Sequence, residues 1–127
     1  MVGVQGAQGD SYAERQKVVD MALTRDFKQT VVERVKRDPA FARELLNEAA
    51  TLFLNGETDA ARLVLRDLVN ATVGFEELAA KTRRPAKSLH RMLSQQGNPT
   101  MDNLAAILNV IRRKLHVDLQ TRTIRAA

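Results

Sequence analysis

The stretch from Phe75 to Leu108, FEELAAKTRRPAKSLHRMLSQQGNPTMDNLAAIL, constrains the fold more than any other part of the chain. Its apolar residues recur at helical spacing but are interrupted twice, first by a tight basic turn ending in Pro85 and then by Gly97-Asn98-Pro99-Thr100. The pattern predicts a short helix, a turn, a second helix, a break and a third helix. Between Leu78 and Met101 there is no Asp or Glu, while Lys81, Arg83, Arg84, Lys87 and Arg91 supply five positive charges. A helix with an apolar back and a basic, hydroxyl-bearing front is suited to meet a polyanion.

Charge is divided unevenly along the chain. Residues 1–77 hold ten Lys/Arg against thirteen Asp/Glu, a net of −3, and residues 78–127 hold ten against two, a net of +8, which together give the overall +5. A basic half joined to a mildly acidic one suggests a nucleic-acid face and a separate body; the alternative is a solvated charged surface. The length of 127 residues suits one domain. No apolar run approaches the roughly eighteen residues that a membrane span needs, and MVGVQGAQGD has neither the basic start nor the apolar core of a secretory signal. With no Cys, disulfides and thiolate metal sites are excluded, and the expected compartment is a reducing cytoplasm.

Residues 1–20 offer little to bury and are expected to be a disordered or frayed lead-in. Met21 opens the segment with clear structural signals and is a candidate natural start; an N-terminal mass showing Met1 or Val2 refutes that. Thr24 suits the N-cap of a helix over Arg25–Arg37, with Asp26 in its first turn and an apolar stripe of Phe27, Val31 and Val35. Asp38-Pro39 ends that helix and starts the next, Pro39–Leu54, which should bury Phe41, Leu45, Leu46, Ala49, Leu52 and Phe53. Asn55-Gly56 supplies a left-handed exit. A helix over roughly Thr58–Ala71 places Ala61, Val64, Leu65 and Leu68 on one side and Arg62, Arg66 and Asp67 on an outer, solubilising side, and Gly74 breaks the chain after it.

Beyond the central stretch, Leu115, Val117 and Leu119 alternate with His116 and Asp118, which is strand periodicity. A lone strand needs an edge to pair with. Two outcomes are open: pairing with the same strand of a second copy, giving a homodimer through Leu115, Val117 and Leu119, or an extended tail packed on its own body.

In a helix-turn-helix the first helix braces the second closely enough to demand a small residue in the contact. Leu78-Ala79 provides an anchor followed by such a residue, and Leu89 and Met92 provide the inward face of the second helix. Leu104 and Ile107 belong to the core as well. The outward face is then Lys87, Ser88, His90, Arg91 and Ser94, side chains that can donate to base edges and phosphates. Arg83 and Arg84, in the turn, are placed for phosphate. The expected fold is all-α: a lead-in over 1–20, N-terminal helices over 21–72, a helix-turn-helix core over 73–114 and a short C-terminal strand or tail over 115–127, within one compact domain.

The pattern EELAAKT, SLHRML and GNPTMDNL resembles helix-turn-helix regulators of the Cro and phage-repressor type, also called xenobiotic-response-element regulators, and is most similar to the HigA-like antidotes of addiction modules. The likeness is strongest over about residues 72–115, and LTRDFKQTVVERVKRDPAFARELLNEAATLFLNGE resembles the upstream region of that subgroup. It implies that Pro85, Ala86, Lys87, His90 and Arg91 face the major groove with Ser88 and Ser94 beside them. It also implies that Asn98, Thr100 and Asn103 approach a phosphate, a placement that the helix dipole favours too.

The chain departs from that pattern in three places. The usual Gly of the turn is Arg83, which must either accept a left-handed conformation or reshape the turn. The usual apolar residue after it is Arg84. Phe75, Glu76 and Glu77 stand at the start of the bracing helix, where the acidic pair suits the dipole but repels phosphate, so the binding face shifts toward Lys81–Arg91.

Catalysis has little to stand on. His90 and His116 are the only histidines, there is no thiol and no Gly-rich phosphate cradle, and Glu44 and Glu48 share a helix face without a His partner. No metal-ligand set and no cofactor site are expected. The sequence therefore predicts a non-enzymatic, sequence-specific DNA-binding regulator of transcription, acting on its own operon and most readily as a dimer. The competing reading, which the resemblance implies, is an antitoxin whose main task is to bind a protein toxin through the acidic upstream body, residues 21–70.

Overall fold

The structure, a computed structural model, describes residues 28–127, so the expectations for the lead-in, Met21, Thr24, Asp26 and Phe27 lie outside the described residues. The described chain is all-helical. Its helices are α1 (Lys28–Arg37), α2 (Pro39–Leu54), α3 (Thr58–Ala71), α4 (Gly74–Thr82), α5 (Ala86–Met92) and α6 (Met101–Leu115).

Local chemistry sets most of the boundaries. Asp38 sits at φ −131°, ψ 96°, and its carboxylate accepts from the Ala40 N–H at 3.1 Å, capping α2 while Pro39 fills the first helical position, where no N–H is needed. At the far end Gly56 (φ +82°) lets the chain fold back, so that the Gly56 N–H donates to Phe53 O (3.2 Å) and the Glu57 N–H to Leu52 O (2.9 Å). Those two bonds satisfy helix-end carbonyls that would otherwise lack partners.

The core runs through all six helices. Val31 and Val35 of α1 and Phe41, Ala42, Leu45, Leu46, Ala49 and Leu52 of α2 close on Ala61, Val64, Leu65, Leu68 and Val69 of α3. Leu78, Leu89, Leu93, Ile107 and Ile111 continue the same cluster into α4–α6. The third helix is central: α1, α2 and α4 all pack against it, while α6 packs on α2 and α4, and α5 rests chiefly on α4.

That centrality overturns one expectation. Arg62 and Asp67, placed by the helical wheel on an outer face, are only 6% and 3% exposed, and Arg66 is half-buried with its Nε making no hydrogen bond. A wheel shows which face is most apolar, not whether a second face is also covered. Glu48 is likewise buried, whereas Glu44 is exposed.

The expected C-terminal strand is absent: there is no strand among the described residues. Leu115 closes α6, continuing the inward spacing of Leu104, Ile107, Leu108 and Ile111, and His116 takes the left-handed cap position at φ 57°, ψ 47°. The His116 and Val117 N–H groups donate back to Arg113 O (3.2 Å) and Arg112 O (3.1 Å), ending the helix as Gly56 ends α2. Val117 and Leu119 do turn inward onto the core while His116, Asp118 and Gln120 are exposed. The alternation is real, but the all-helical body offers no sheet edge for a ladder.

Candidate nucleic-acid interface

The basic ridge is built on α4, a three-residue turn and α5. Arg83 ends α4 in the left-handed region (φ 56°, ψ 42°), so of the two conformations open to it the chain adopts the strained one and keeps the turn tight. The Arg84 N–H then closes onto Ala79 O at 3.2 Å. Pro85, extended at φ −62°, ψ 138°, stands before α5, and its carbonyl accepts from the Leu89 N–H at 3.1 Å. The turn is therefore fixed at both of its ends by backbone geometry.

Helix α5 is fully committed on one side. Leu89 is completely buried, Ala86 and Met92 are half-buried against the core, and Leu93, one residue beyond the helix, is completely buried too. Opposite them Lys87, His90 and Arg91 are exposed, with Arg83 and Pro85 exposed in the turn. Lys87 and Arg91 are four residues apart, hence on one face of the helix. The side chains of Arg83, Lys87 and Arg91 make no hydrogen bond or ion pair among the described residues, so three cations face solvent without counter-charge.

Several other expected site residues are partly engaged within the protein. His90 stacks on Phe75, with ring centroids 3.8 Å apart and planes 19° from parallel. Phe75 is a core residue, so the start of α4 supports His90 from beneath and leaves the imidazole nitrogens at the edge. Lys81 pairs with Glu77 at 3.1 Å across one helical turn, which offsets its charge. Arg84 is half-buried: its Nε donates to Asn103 Oδ1 at 2.6 Å and its Nη1 to Thr82 O at 2.9 Å. Arg84 and Asn103, both expected at phosphate, therefore bind each other and tie the turn to α6.

Ser94 lies past the end of α5, half-buried, with its hydroxyl donating to Arg91 O at 2.7 Å rather than standing free on the ridge. Ser88 is half-buried beside Lys87. Thr100 caps α6, its Oγ1 accepting from the Asn103 N–H at 3.1 Å, and Asn98 is exposed just before it. Asp102 sits in that same first turn, where it opposes any phosphate drawn to the helix end.

Two further residues shape the site. The Arg62 guanidinium reaches from α3 to the carbonyls of Ser94 (Nε, 3.0 Å) and Gln95 (Nη2, 2.9 Å). Gly97 passes so close to the end of α5 that a Cβ there would lie 2.2 Å from Met92 O and 2.5 Å from Arg91 O. Neither carried a sequence signal for its role, since Arg62 lies more than thirty residues before its partners. Among the described residues no group of three or more His, Asp or Glu is placed to hold a metal, and no helix is long and apolar enough to cross a membrane.

Comparison of the chain with protein-family models, with curated proteins and with solved structures finds no match. A functional reading therefore stands on the ridge itself.

Proposed function

We propose that this chain is a helix-turn-helix DNA-binding protein in which α4 is the bracing helix and α5, within residues 85–95, is the recognition helix that enters the major groove. More narrowly, it is a sequence-specific regulator of transcription of the Cro and phage-repressor type, acting in the cytoplasm on the operator of its own operon. The observation that carries this reading is the two-sidedness of α5: Leu89 is completely buried on one face, while Lys87 and Arg91 are exposed and unpaired on the other. A short helix braced from behind with free cations in front matches what groove reading requires.

In this reading Lys87, His90 and Arg91 address base edges, Arg83 addresses phosphate, and the engaged Arg84 and Asn103 act mainly as struts. The protein works as a homodimer. Because Leu115, Val117 and Leu119 pack on their own core, a dimer through this segment would join by backbone pairing of the extended tails rather than by those side chains.

Selection of binding sites from random duplex DNA, with the mass of the complex measured by light scattering, tests the proposal. A palindromic consensus with half-sites about one helical turn apart is expected. Arg91→Ala should weaken binding by about 1–3 kcal/mol and relax one base position. Operator affinity unchanged in both Lys87→Ala and Arg91→Ala removes the assignment of α5.

A further inference from the structure

Helix α5 is seven residues long and rests chiefly on α4. Isolated helices shorter than about twelve residues are marginal in water, so its attitude depends on how its two ends are held. The leading end is fixed by the turn at Arg83–Pro85. At the trailing end the chain leaves the helix after Leu93, and the carbonyls of the next two residues, Ser94 and Gln95, are held by the buried guanidinium of Arg62.

Arg62 is 6% exposed, and two of its three guanidinium nitrogens, Nε and Nη2, are engaged. The Nε donates to Ser94 O at 3.0 Å, while Nη2 donates both to Gln95 O at 2.9 Å and to Asp59 Oδ1 at 2.6 Å. The Asp59 carboxylate, 85% exposed at its side chain, steadies the guanidinium from the solvent side. Ser94 O also accepts from the Gly97 N–H at 3.0 Å, and the absent Cβ of Gly97 lets that strand of chain lie directly on the end of the helix. The loop that leaves α5 is thus pinned directly behind the helix to α3, the helix around which α1, α2 and α4 pack.

We infer that Arg62 is a positioning residue for DNA recognition: it sets the angle at which α5 presents Lys87 and Arg91, and so controls discrimination between sequences rather than attraction to DNA in general. The inference rests on the proposed role of α5. Phosphate contacts tolerate a loosened helix because they depend mostly on charge, whereas bidentate contacts to base edges depend on orientation. A planar fork that holds two carbonyls at once has no equivalent in Lys, whose ammonium is a single point of charge.

The test compares wild type, Arg62→Lys and Arg62→Met for binding to the selected operator and to random duplex of equal length, across a salt series. Arg62→Lys keeps the charge and nearly the length, and remains informative if Arg62→Met fails to fold. Arg62→Lys is expected to lower the operator-to-random affinity ratio about tenfold, against specificity ratios of roughly a thousandfold or more, with random-duplex affinity and salt slope unchanged. A ratio equal to that of wild type overturns the inference, as does an equal loss on both duplexes, the sign of a purely structural role. Wild type with no discrimination at all is a separate result, which removes the DNA reading and this inference with it.

Discussion

Replacing Arg83 with Gly should make the protein more stable and a weaker DNA binder. Arg83 is held at φ 56°, ψ 42°, where the Cβ of an L-residue crowds the neighbouring carbonyl at a cost of about 1–2 kcal/mol. Its side chain is exposed and makes no hydrogen bond or ion pair among the described residues, so truncation removes no contact that would offset the relief. Glycine gives back part of the gain, roughly 0.5–1 kcal/mol, through the greater freedom of its unfolded chain. The net expectation is stabilisation by about 0.5–1 kcal/mol, or a urea midpoint raised by roughly 0.3–0.5 M. On DNA the same change removes the phosphate contact proposed for Arg83, so the slope of log affinity against log salt should flatten by about 0.9 per protomer. Arg83→Ala separates the two effects: it keeps the strain and loses the charge, so its midpoint should stay near that of wild type while its salt slope matches that of Arg83→Gly. A lower midpoint in Arg83→Gly than in Arg83→Ala would refute the account of the turn, and an unaltered salt slope in both would refute the phosphate contact.

Two other changes probe the supports of the ridge. Gly97→Ala forces a methyl group within 2.2 Å of Met92 O, so the loop must lift from α5; a loss of about 1–3 kcal/mol is expected by chemical denaturation, with faster amide exchange at Leu93 and Ser94. Asp38→Ala removes the carboxylate that caps α2 and should lower stability by about 1 kcal/mol with no change in DNA affinity, since the cap lies on the far segment of the chain.

What was legible in the sequence was local. Asp38-Pro39 and Asn55-Gly56 carry their own geometric instructions, and α2 begins and ends where those residues say. Arg83 at the place of a turn glycine posed two alternatives that composition leaves open, and the left-handed one is adopted. The misread elements are those decided by contacts far apart in the chain. Leu115, Val117 and Leu119 have the spacing of a strand, yet Leu115 also continues the spacing of α6, and the helix prevails because it needs no outside partner for its hydrogen bonds. Arg62 has the look of a solvent-facing arginine until a loop more than thirty residues later folds beneath it. Arg84 and Asn103, nineteen residues apart, read as two independent donors because nothing in a linear pattern marks two polar residues as partners. Gly97 signals a turn, but the carbonyls that crowd it become visible only once α5 is in place.

The sharing of one core between the upstream helices and the basic ridge has a practical consequence. Phe75 and Leu78 of α4 and Ile107 and Ile111 of α6 belong to the same buried cluster as α2 and α3, so residues 73–115 cut free would carry an oily underside into water. Anyone transplanting the basic ridge onto another scaffold, or shortening the gene to its basic half, should bring α2 and α3 along as its foundation.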